Sequence, residues 1–480
     1  MMPFAIVILR TDALIFLLTG CIVAAALYMR GQEHLRSAWR KVAENRIGMT
    51  ALTVLAAFVG IGLLDSLHYR PLLSPAEGNK NAIYSVEVWS ALDTLAANLK
   101  QHTEKTYSAP FAIYLYAREA TEEPDGIQTR GFPRLKYGGA HLSDPQQRWH
   151  DIAHRAVEAT LLAAIGWLAV GLAVVGWIAW RSGITWREAI RRVWRGESQV
   201  AWRAVLLTLG ALALLAAPAL GLSSYYHVFG TDKVGNDVFY LSLKSIRTAL
   251  IIGTLTTLTM LPFAVILGIL AGYLGGWVDD VIQYVYTTLN SIPAVLLIAA
   301  AVLMMQVLID GHPRWFATAA ERADARLLAL CLILGVTSWT GLCRLVRAET
   351  LKLRELEYVE AARAFGVSKR RIMARHLLPN LMHIVLISLV IDFSGLVLSE
   401  AVLSYVGIGV DPNTISFGTM INAARMELAR EPVVWWSLTA AFTFMFTLVL
   451  MANLLSDAVR DAFDPRLLAR ARAPGEGARP

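Results

Sequence analysis

Long apolar runs alternate with shorter polar stretches along most of the chain. About 20 apolar residues cross the hydrocarbon layer as a helix, and only helices or closed barrels satisfy their backbone polar groups there. These runs are too long and too continuous for barrel strands, so they predict an all-α polytopic membrane protein. The nine predicted spans are residues 13–29, 47–64, 156–180, 204–222, 249–274, 281–309, 327–346, 381–398 and 433–455.

The polar intervals predict how the chain is divided. The longest of them is expected to form an extracytoplasmic insertion that contains at least one amphipathic helix, because its apolar residues have near-helical spacing. Those residues are Ile83, Val86, Leu92, Leu95 and Leu99. The expected domains are N-terminal transmembrane helices (1–64), the insertion (65–155), two additional transmembrane helices (156–222), a core (223–467) and a disordered cytoplasmic tail (468–480).

Composition and charge agree with a membrane protein. The chain is 56% hydrophobic and 17% charged, whereas soluble domains carry about 25% charged residues. The net charge of +7 could suggest nucleic-acid binding, but the lysines and arginines cluster between apolar runs. They crowd the first, third and seventh connections and the end of the last span, which predicts an external N-terminus and a cytoplasmic C-terminus. We expect contact with membrane lipid and none with nucleic acid.

The first span leaves alternatives open. Arg10, the apolar stretch after it and Ala24-Ala25-Ala26 are similar to a secretory signal peptide, which would be removed. A start of translation near Glu33 is a further alternative.

No cysteine or histidine pattern predicts a metal site. Cys21, Cys331 and Cys343 lie inside apolar runs, without the spacing of a zinc site or a disulfide framework. His150 and His154 are four residues apart, but the motif lacks the glutamate and third ligand of a zinc-protease helix. A solvated turn before the third span is the expected structure there.

The segment Gly230–Gly235 imitates the beginning of a phosphate-binding loop. Such a loop continues with lysine and then serine or threonine, which hold phosphate and magnesium. Asn236 and Asp237 follow instead, and the carboxylate would repel phosphate. The chain is therefore expected to be non-catalytic, without a cofactor, and to depend on a separate ATPase.

The seventh connection, residues 357–380, has the pattern of two short helices that meet at a glycine. Val359, Ala362 and Phe365 would share one face of the first helix. Gly366 can adopt the left-handed conformation that ends a helix, and Ser368 can cap the next one. Pro379 is expected to close the second helix before the following span.

This stretch resembles the EAA loop of ABC importer permeases. Glu360-Ala361-Ala362, Gly366 and Leu378-Pro379 fall at the spacing of that motif. His376 replaces the apolar residue of the general pattern, which narrows the resemblance to the dipeptide and oligopeptide branch.

Three further stretches are similar to the same branch: 229–238, with Gly-Thr-Asp-x-x-Gly-x-Asp; 417–420, with Phe-Gly-Thr-Met; and 457–466, the terminal signature. The resemblance covers about 226–467, with weaker likeness over 36–64. It implies a type I ABC importer transmembrane domain with extra N-terminal spans and a periplasmic insertion.

The resemblance also implies partners and roles. These are two ATP-binding subunits, a second homologous permease subunit and a periplasmic or lipid-anchored substrate-binding protein, assembled at the bacterial inner membrane. Glu360, Ala361 and Ala362 would contact the ATPase, Gly366 would supply the bend, and Leu378 and Pro379 would link the loop to the next span. Closure of the ATPase dimer would then switch the transport cavity from outward to inward access. The cargo is not specified, although peptides are the usual substrates of the family.

Three residues within the spans are candidates for the translocation pathway or a gate. Asp392 and Glu400 are carboxylates in or beside the eighth span, where such groups are functional by default. Pro293 would kink the sixth span, with Asn290 beside it. For each, the alternative is a purely structural role.

Two other functions remain open. One is an ion-coupled secondary transporter that uses Asp392 and Glu400, although no convincing inverted repeat is present. The other is a membrane enzyme or sensor that uses residues 65–155.

Overall fold

A computed structural model describes residues 4–29, 31, 33–72, 84–122, 128–196, 198–316 and 318–463. Within these ranges nine helical segments are long and apolar enough to cross a membrane. The all-α polytopic class and the number of spans are thereby confirmed. The predicted tail, 468–480, and the last three residues of the 457–466 signature lie outside the described residues. The division into domains stays a prediction.

Eighteen helices follow one another along the described chain. They are α1 (Arg10–Met29), α2 (Glu33–Glu44), α3 (Arg46–Asp65), α4 (Ala91–Leu95), α5 (Ala97–Gln101), α6 (Arg148–Ser182), α7 (Trp186–Arg195), α8 (Trp202–Leu222), α9 (Val238–Leu274), α10 (Gly276–Ser291), α11 (Ala294–Gly311), α12 (Ala319–Ser338), α13 (Thr340–Leu353), α14 (Glu357–Ala364), α15 (Lys369–Ile372), α16 (Leu378–Tyr405), α17 (Phe417–Glu427) and α18 (Trp436–Phe463).

Helix α9 is the centre of the bundle. Helices α3, α12, α13, α16 and α18 all pack against it. Small residues let these helices approach closely. A Cβ atom at Gly253 would lie 2.3 Å from the Phe393 ring, and one at Gly268 would lie 2.8 Å from the Val346 side chain.

The length of α9 carries it beyond the membrane. Its 37 residues correspond to about 55 Å, whereas the hydrocarbon layer is roughly 30 Å thick. The predicted span 249–274 covers only the later part of this helix. The earlier part projects toward the segment between α3 and α6, where it packs against α5 and donates a hydrogen bond from Tyr240 to Asp93 of α4.

The predicted sixth span is two helices rather than one. Helix α10 ends at Ser291, and α11 begins at Ala294, with Pro293 at its N-cap. Helix α11 alone is long and apolar enough to cross. The expectation of a kinked continuous helix is therefore wrong, because the chain becomes extended at Ile292, immediately before proline, where a helical backbone is sterically disfavoured.

Helices α6, α7 and α8 form a unit beside α3, with α8 in contact with both α6 and α3. Helix α6 begins at Arg148, earlier than the predicted span. His150 and His154 therefore lie in a regular helix, and the expected solvated turn is not formed. Their helix starts after Pro145–Gln147, where the Asp144 side chain accepts from the backbone of Gln146.

Short strands form in the segment between α3 and α6, and one strand before α1 joins them. Strands β1 (Phe4–Val7), β2 (His68–Pro71) and β3 (Trp89–Ser90) form an antiparallel sheet in that order, with Phe4 opposite Pro71. Strands β4 (Glu119–Glu122) and β5 (Gln128–Gly131) form an antiparallel pair. None of these strands was predicted.

The expected amphipathic helix of this segment is divided into α4 and α5. Leu92 and Leu99 are buried, as a shared apolar face requires, but Leu95 and Val86 are exposed. Ile83 lies outside the described residues. The two helices are separated by Ala96, whose backbone is not helical.

Candidate functional site

Residues 357–380, hereafter the 357–380 loop, form the predicted pair of short helices. Helix α14 ends in a Schellman motif, in which Gly366 takes the left-handed conformation with φ +74°. The N–H of Gly366 donates to the Arg363 carbonyl, and the N–H of Val367 donates to the Ala362 carbonyl. Ser368 occupies the N-cap position of α15, although its side chain makes no capping hydrogen bond.

One side of the loop is anchored in the bundle by apolar side chains. Val359, Ile372 and Leu377 are fully buried. They pack in one cluster with residues of α9, α10 and α13, including Tyr273 and Val346. A rigid connection therefore runs from the loop into three helices.

Polar contacts hold the same region together. The Arg354 guanidinium donates to the Gly272 carbonyl at the end of α9, over 3.3 Å. The Arg347 guanidinium makes two hydrogen bonds to the Asp279 carboxylate and so ties α13 to α10. This bidentate geometry is the strongest form of such a pair.

The opposite side of the loop is exposed. Glu360 and Ala361 face outward, and Ala362 is half-buried. The prediction that Val359, Ala362 and Phe365 share one face of the helix is wrong for Phe365. Its side chain is 87% exposed. It lies one residue beyond the last turn of α14, where the chain turns toward Gly366 and directs its ring away from the bundle.

Leu378 and Pro379 lie in the first turn of α16. Pro379 was expected to close the second short helix. It does not, because α15 continues through a π-helical turn at Met373–Leu377 directly into α16. The link between loop and span is thus continuous helix.

Glu400 joins α16 to the beginning of α17. Its side chain is buried and accepts hydrogen bonds from the hydroxyls of Ser404 (2.6 Å) and Ser416 (2.9 Å). A Cβ atom at Gly418 would lie 2.9 Å from the Glu400 carboxylate, so the two helices meet closely there. The geometry gives Glu400 a structural contact and does not test a pathway role.

Asp392 and Pro293 are not brought together with Glu400 by any described contact. Asp392 is half-buried in α16 and has no hydrogen bond or ion pair to another residue in the described ranges. Pro293 marks the break between α10 and α11. Beside it, the Asn290 side chain accepts a hydrogen bond from the Thr340 hydroxyl, over 3.0 Å.

The 229–238 stretch forms a tight loop at the beginning of α9. The Asp237 carboxylate caps this helix by accepting from the N–H groups of Phe239 and Tyr240. A Cβ atom at Gly235 would lie 1.8 Å from the Glu104 carbonyl oxygen. The loop is therefore filled by backbone of the preceding segment and leaves no cradle for a phosphate at that glycine.

A buried triad locks this loop to the segment before α6. His227 lies between Asp237 (Nδ1 to Oδ2, 2.8 Å) and Glu104 (Nε2 to Oε1, 3.4 Å). Glu104 also accepts hydrogen bonds from three successive backbone N–H groups at 136–138. We call these three side chains the His227 clamp.

The charges of the His227 clamp depend on one another. Burial disfavours the charged form of His227, but the two carboxylates outweigh it and raise the pKa of His227 to about 9. Burial also opposes ionisation of Glu104, yet the hydrogen bonds from His227 and the backbone lower the pKa of Glu104 to about 2.

A second set of ion pairs, in the N-terminal part of α9, was missed by the sequence analysis. Lys244 Nζ lies 2.7 Å from Asp65 and 2.9 Å from Asp93. Arg247 lies 2.6 Å from Asp12. The sequence did offer one signal of these pairs, since Lys244 and Arg247 lie three residues apart immediately before the predicted span 249–274. Their aspartate partners are distant in sequence, so no local pattern could identify them.

Trp435 immediately precedes α18, and Trp436 is its first residue. Trp435 is 52% exposed, but Trp436 is buried, and its indole N–H donates to the Thr231 carbonyl over 2.9 Å. Trp436 is therefore a packing residue beneath the 229–238 loop.

Comparisons with known proteins agree on one family. Residues 264–469 match the family described as binding-protein-dependent transport system inner membrane component. The oligopeptide transport system permease protein OppC of Bacillus subtilis is 30% identical over 241 residues, which are 50% of this chain and 72% of that protein. The glutathione transport system permease protein GsiD of Pectobacterium atrosepticum is 30% identical over 298 residues, 59% of this chain and 91% of that protein.

A further relative and one solved structure are more distant. The OppC protein of Mycobacterium tuberculosis is 29% identical over 289 residues, 58% of this chain and 93% of that protein. A chain of the inward-facing MetNI methionine ABC transporter is 17% identical, with a TM-score of 0.37 over 47% of this chain and 98% of its own length.

Proposed function

Because the chain belongs to the family of binding-protein-dependent transport system inner membrane components, we propose that it is the permease subunit of an ATP-driven importer of peptides or similar small solutes. The relatives named as oligopeptide and glutathione permeases support this substrate range. The chain is a multi-pass protein of the inner membrane. Its N-terminus lies outside and its C-terminus in the cytoplasm in this proposal.

The partners follow from the same proposal. Two ATP-binding subunits supply the energy, a second homologous permease subunit completes the pathway, and a binding protein delivers the solute. The chain itself hydrolyses no ATP. The 229–238 loop supports this, because Asn236 and Asp237 stand where a phosphate-binding loop carries lysine and then serine or threonine, and Gly235 is packed against Glu104.

The observation that carries the proposal is the two-sided 357–380 loop. Its inner side is fixed by Val359, Ile372 and Leu377, which are fully buried. Its outer side presents the small residue Ala361 beside Glu360. Small exposed side chains let another protein's backbone come close, so an ATPase subunit docked here could move α9, α10 and α13 together. Glu360, Ala361 and Ala362 provide the contact and Gly366 the turn.

Phe365 is an additional contact in this proposal. Aromatic residues are enriched in the buried core of protein interfaces, where a few residues often contribute most of the binding energy. With 87% of its surface exposed next to the Gly366 turn, Phe365 is positioned to enter a pocket of the ATPase.

The test is substitution of Ala361 by phenylalanine. The position is exposed, so the larger side chain leaves the fold intact and blocks close approach of the partner. We expect uptake by the reconstituted transporter and recovery of the ATPase on affinity purification to fall at least tenfold. Phe365→Ala should weaken ATPase capture about tenfold, the usual effect of losing an aromatic anchor.

Ala348→Phe is the matched control, because Ala348 is exposed on α13 outside the loop. It should leave ATPase capture unchanged. Normal ATP-dependent uptake by Ala361→Phe would contradict the coupling role of the loop.

The ion-coupled alternative predicts instead that uptake survives removal of the ATPase and collapses with the proton gradient.

A further inference from the structure

A cavity of about 580 Å³ opens beside α3, on the same face of the membrane as the 357–380 loop. It lies between the end of α2, the beginning of α3 and the connection from α7 to α8. The face is established by packing: Gly48 at the start of α3 contacts Ala458 near the end of α18. Helix α18 runs antiparallel to α16, which begins at the loop.

The cavity carries an excess of positive charge. Arg40, Arg46 and Arg203 line it. Among the described lining residues Glu44 is the carboxylate, and it is already paired with Arg40 at 3.1 Å. Arg46 and Arg203 have no ion pair with a carboxylate in the described part of the chain, although Arg203 donates weakly to the Trp194 carbonyl at 3.4 Å.

An apolar groove of about 190 Å³ continues from this cavity between α6, α7 and α8. Arg203 and Leu207 line both spaces. The groove is otherwise lined largely by apolar and aromatic side chains, such as Leu168 and Val193. A charged compartment and an apolar compartment therefore meet at one pair of residues.

The walls of the two compartments are held together by hydrogen bonds. The Thr208 hydroxyl of α8 lies 3.3 Å from that of Thr50 in α3. The N–H of Ala201 donates to the Ala43 carbonyl over 2.8 Å and thereby joins the α7–α8 connection to α2. The cavity is thus a fixed feature of the fold, between elements distant in sequence.

Helix α7 places the cavity at the membrane surface. Its apolar residues Ala189 and Val193 are buried against α6, and its arginines, such as Arg187 and Arg191, are exposed. Trp186 and Trp194 of the same helix are exposed, and tryptophan is enriched where a membrane protein meets the lipid–water interface. The charged compartment is then at the depth of lipid headgroups, and the groove is at the depth of acyl chains.

We propose that this site binds one anionic phospholipid, with its phosphate between Arg46 and Arg203 and an acyl chain along the groove. Guanidinium groups match phosphate oxygens in geometry and charge, and basic pockets between membrane helices bind anionic headgroups. A lipid with a cationic headgroup would bring a like charge toward Arg46. A soluble phosphate would leave the groove unused.

The test is native mass spectrometry of the full-length chain in detergent, with phosphatidylglycerol or phosphatidylcholine added at equal concentration. We expect phosphatidylglycerol to be retained preferentially. Arg46→Gln together with Arg203→Gln should lower its retention by about fivefold per arginine, the expected effect of one cation near an anionic surface. Arg187→Gln with Arg191→Gln removes the same charge outside the cavity and should retain the lipid.

A second pair of variants tests the groove. Gly171 lines the groove and Gly166 does not, and an added Cβ meets nothing within 4 Å at either position of α6. Gly171→Leu should reduce retention of phosphatidylglycerol, whereas Gly166→Leu should not. Equal retention of both lipids by the natural chain, or equal loss in both arginine pairs, would overturn the proposal. So would displacement of the lipid by glycerol phosphate, which would assign the cavity to a soluble anion.

Discussion

Two hydrogen bonds give the buried carboxylate of Glu400 a structural role, and this role does not require ion transport. Both Ser404 and Ser416 donate to it from within a buried contact between α16 and α17. A carboxamide retains an acceptor oxygen at the same place. An alkyl side chain instead removes the acceptor of the buried Ser404 hydroxyl and the nearer acceptor of Ser416, which keeps a longer contact to the Thr419 hydroxyl.

We therefore expect Glu400→Gln to retain uptake and thermal stability. Glu400→Leu should destabilise the protein by about 1–3 kcal/mol, the usual effect of leaving buried polar groups unsatisfied. Thermal unfolding and uptake measured on the same preparations check this. Loss of uptake in a folded Glu400→Gln protein would favour an ion-coupled role instead.

His227 gives the protein a defined pH dependence. Its pKa is raised from 6.5 to about 9 in the folded chain, so the folded state binds the proton more tightly than the unfolded state does. The resulting stability is fully present below about pH 6.5 and is lost as pH rises through about 9. Glu104 has the opposite sign: its contribution is present above pH 4.5 and is lost as pH falls through about 2.

The prediction is a fall in unfolding temperature of the full chain between pH 6.5 and pH values above about 9 that is absent in His227→Gln. His154→Gln replaces an exposed histidine on α6 and should retain the fall. An identical pH profile for the natural chain and His227→Gln would contradict the charge assignment in the His227 clamp.

At the scale of elements, ion pairs from the N-terminal part of α9 hold neighbouring segments in place. Lys244 holds Asp65 from the end of α3 and Asp93 from α4. Removal of one partner from a buried ion pair is strongly destabilising, because the other charge is left without compensation.

We expect Lys244→Met to destabilise the protein by about 3 kcal/mol. Adding Asp65→Asn should recover much of that loss, since Asp65 is paired with Lys244, whereas Asp93 keeps its ion pair with Lys100. Lys233→Met, at an exposed position just before α9, should change stability little. Thermal unfolding of the four proteins in one detergent measures the difference. Equal effects at the two lysines would contradict the stabilising role of the Lys244 ion pairs.

The whole molecule makes a prediction about sidedness. The 357–380 loop and the segment between α3 and α6 should lie on opposite sides of the membrane, with the loop in the cytoplasm. In a Cys21→Ser background, a membrane-impermeant thiol reagent should label Lys105→Cys in intact cells and label Ser368→Cys only after permeabilisation. Cys331 and Cys343 are buried and should not react. External labelling of Ser368→Cys would remove the basis for ATP-driven transport.

The sequence by itself determined the membrane spans, the helix–glycine–helix form of the 357–380 loop and the family. Each depends on local information: the length of an apolar run, the left-handed conformation available to Gly366, and motif spacing. A continuous sixth span was predicted wrongly because hydropathy does not register the backbone restriction that Pro293 imposes on Ile292.

Only the tertiary structure decided which charges are paired and which side of each short helix is exposed. Asp12 and Arg247, or Glu104 and His227, come together from distant parts of the chain. No local pattern encodes such a pairing, because it depends on how the packed helices are arranged. The same physical reason applies to Phe365, whose direction is set where α14 ends, and to the arginine cavity, whose walls come from α2, α3 and α8.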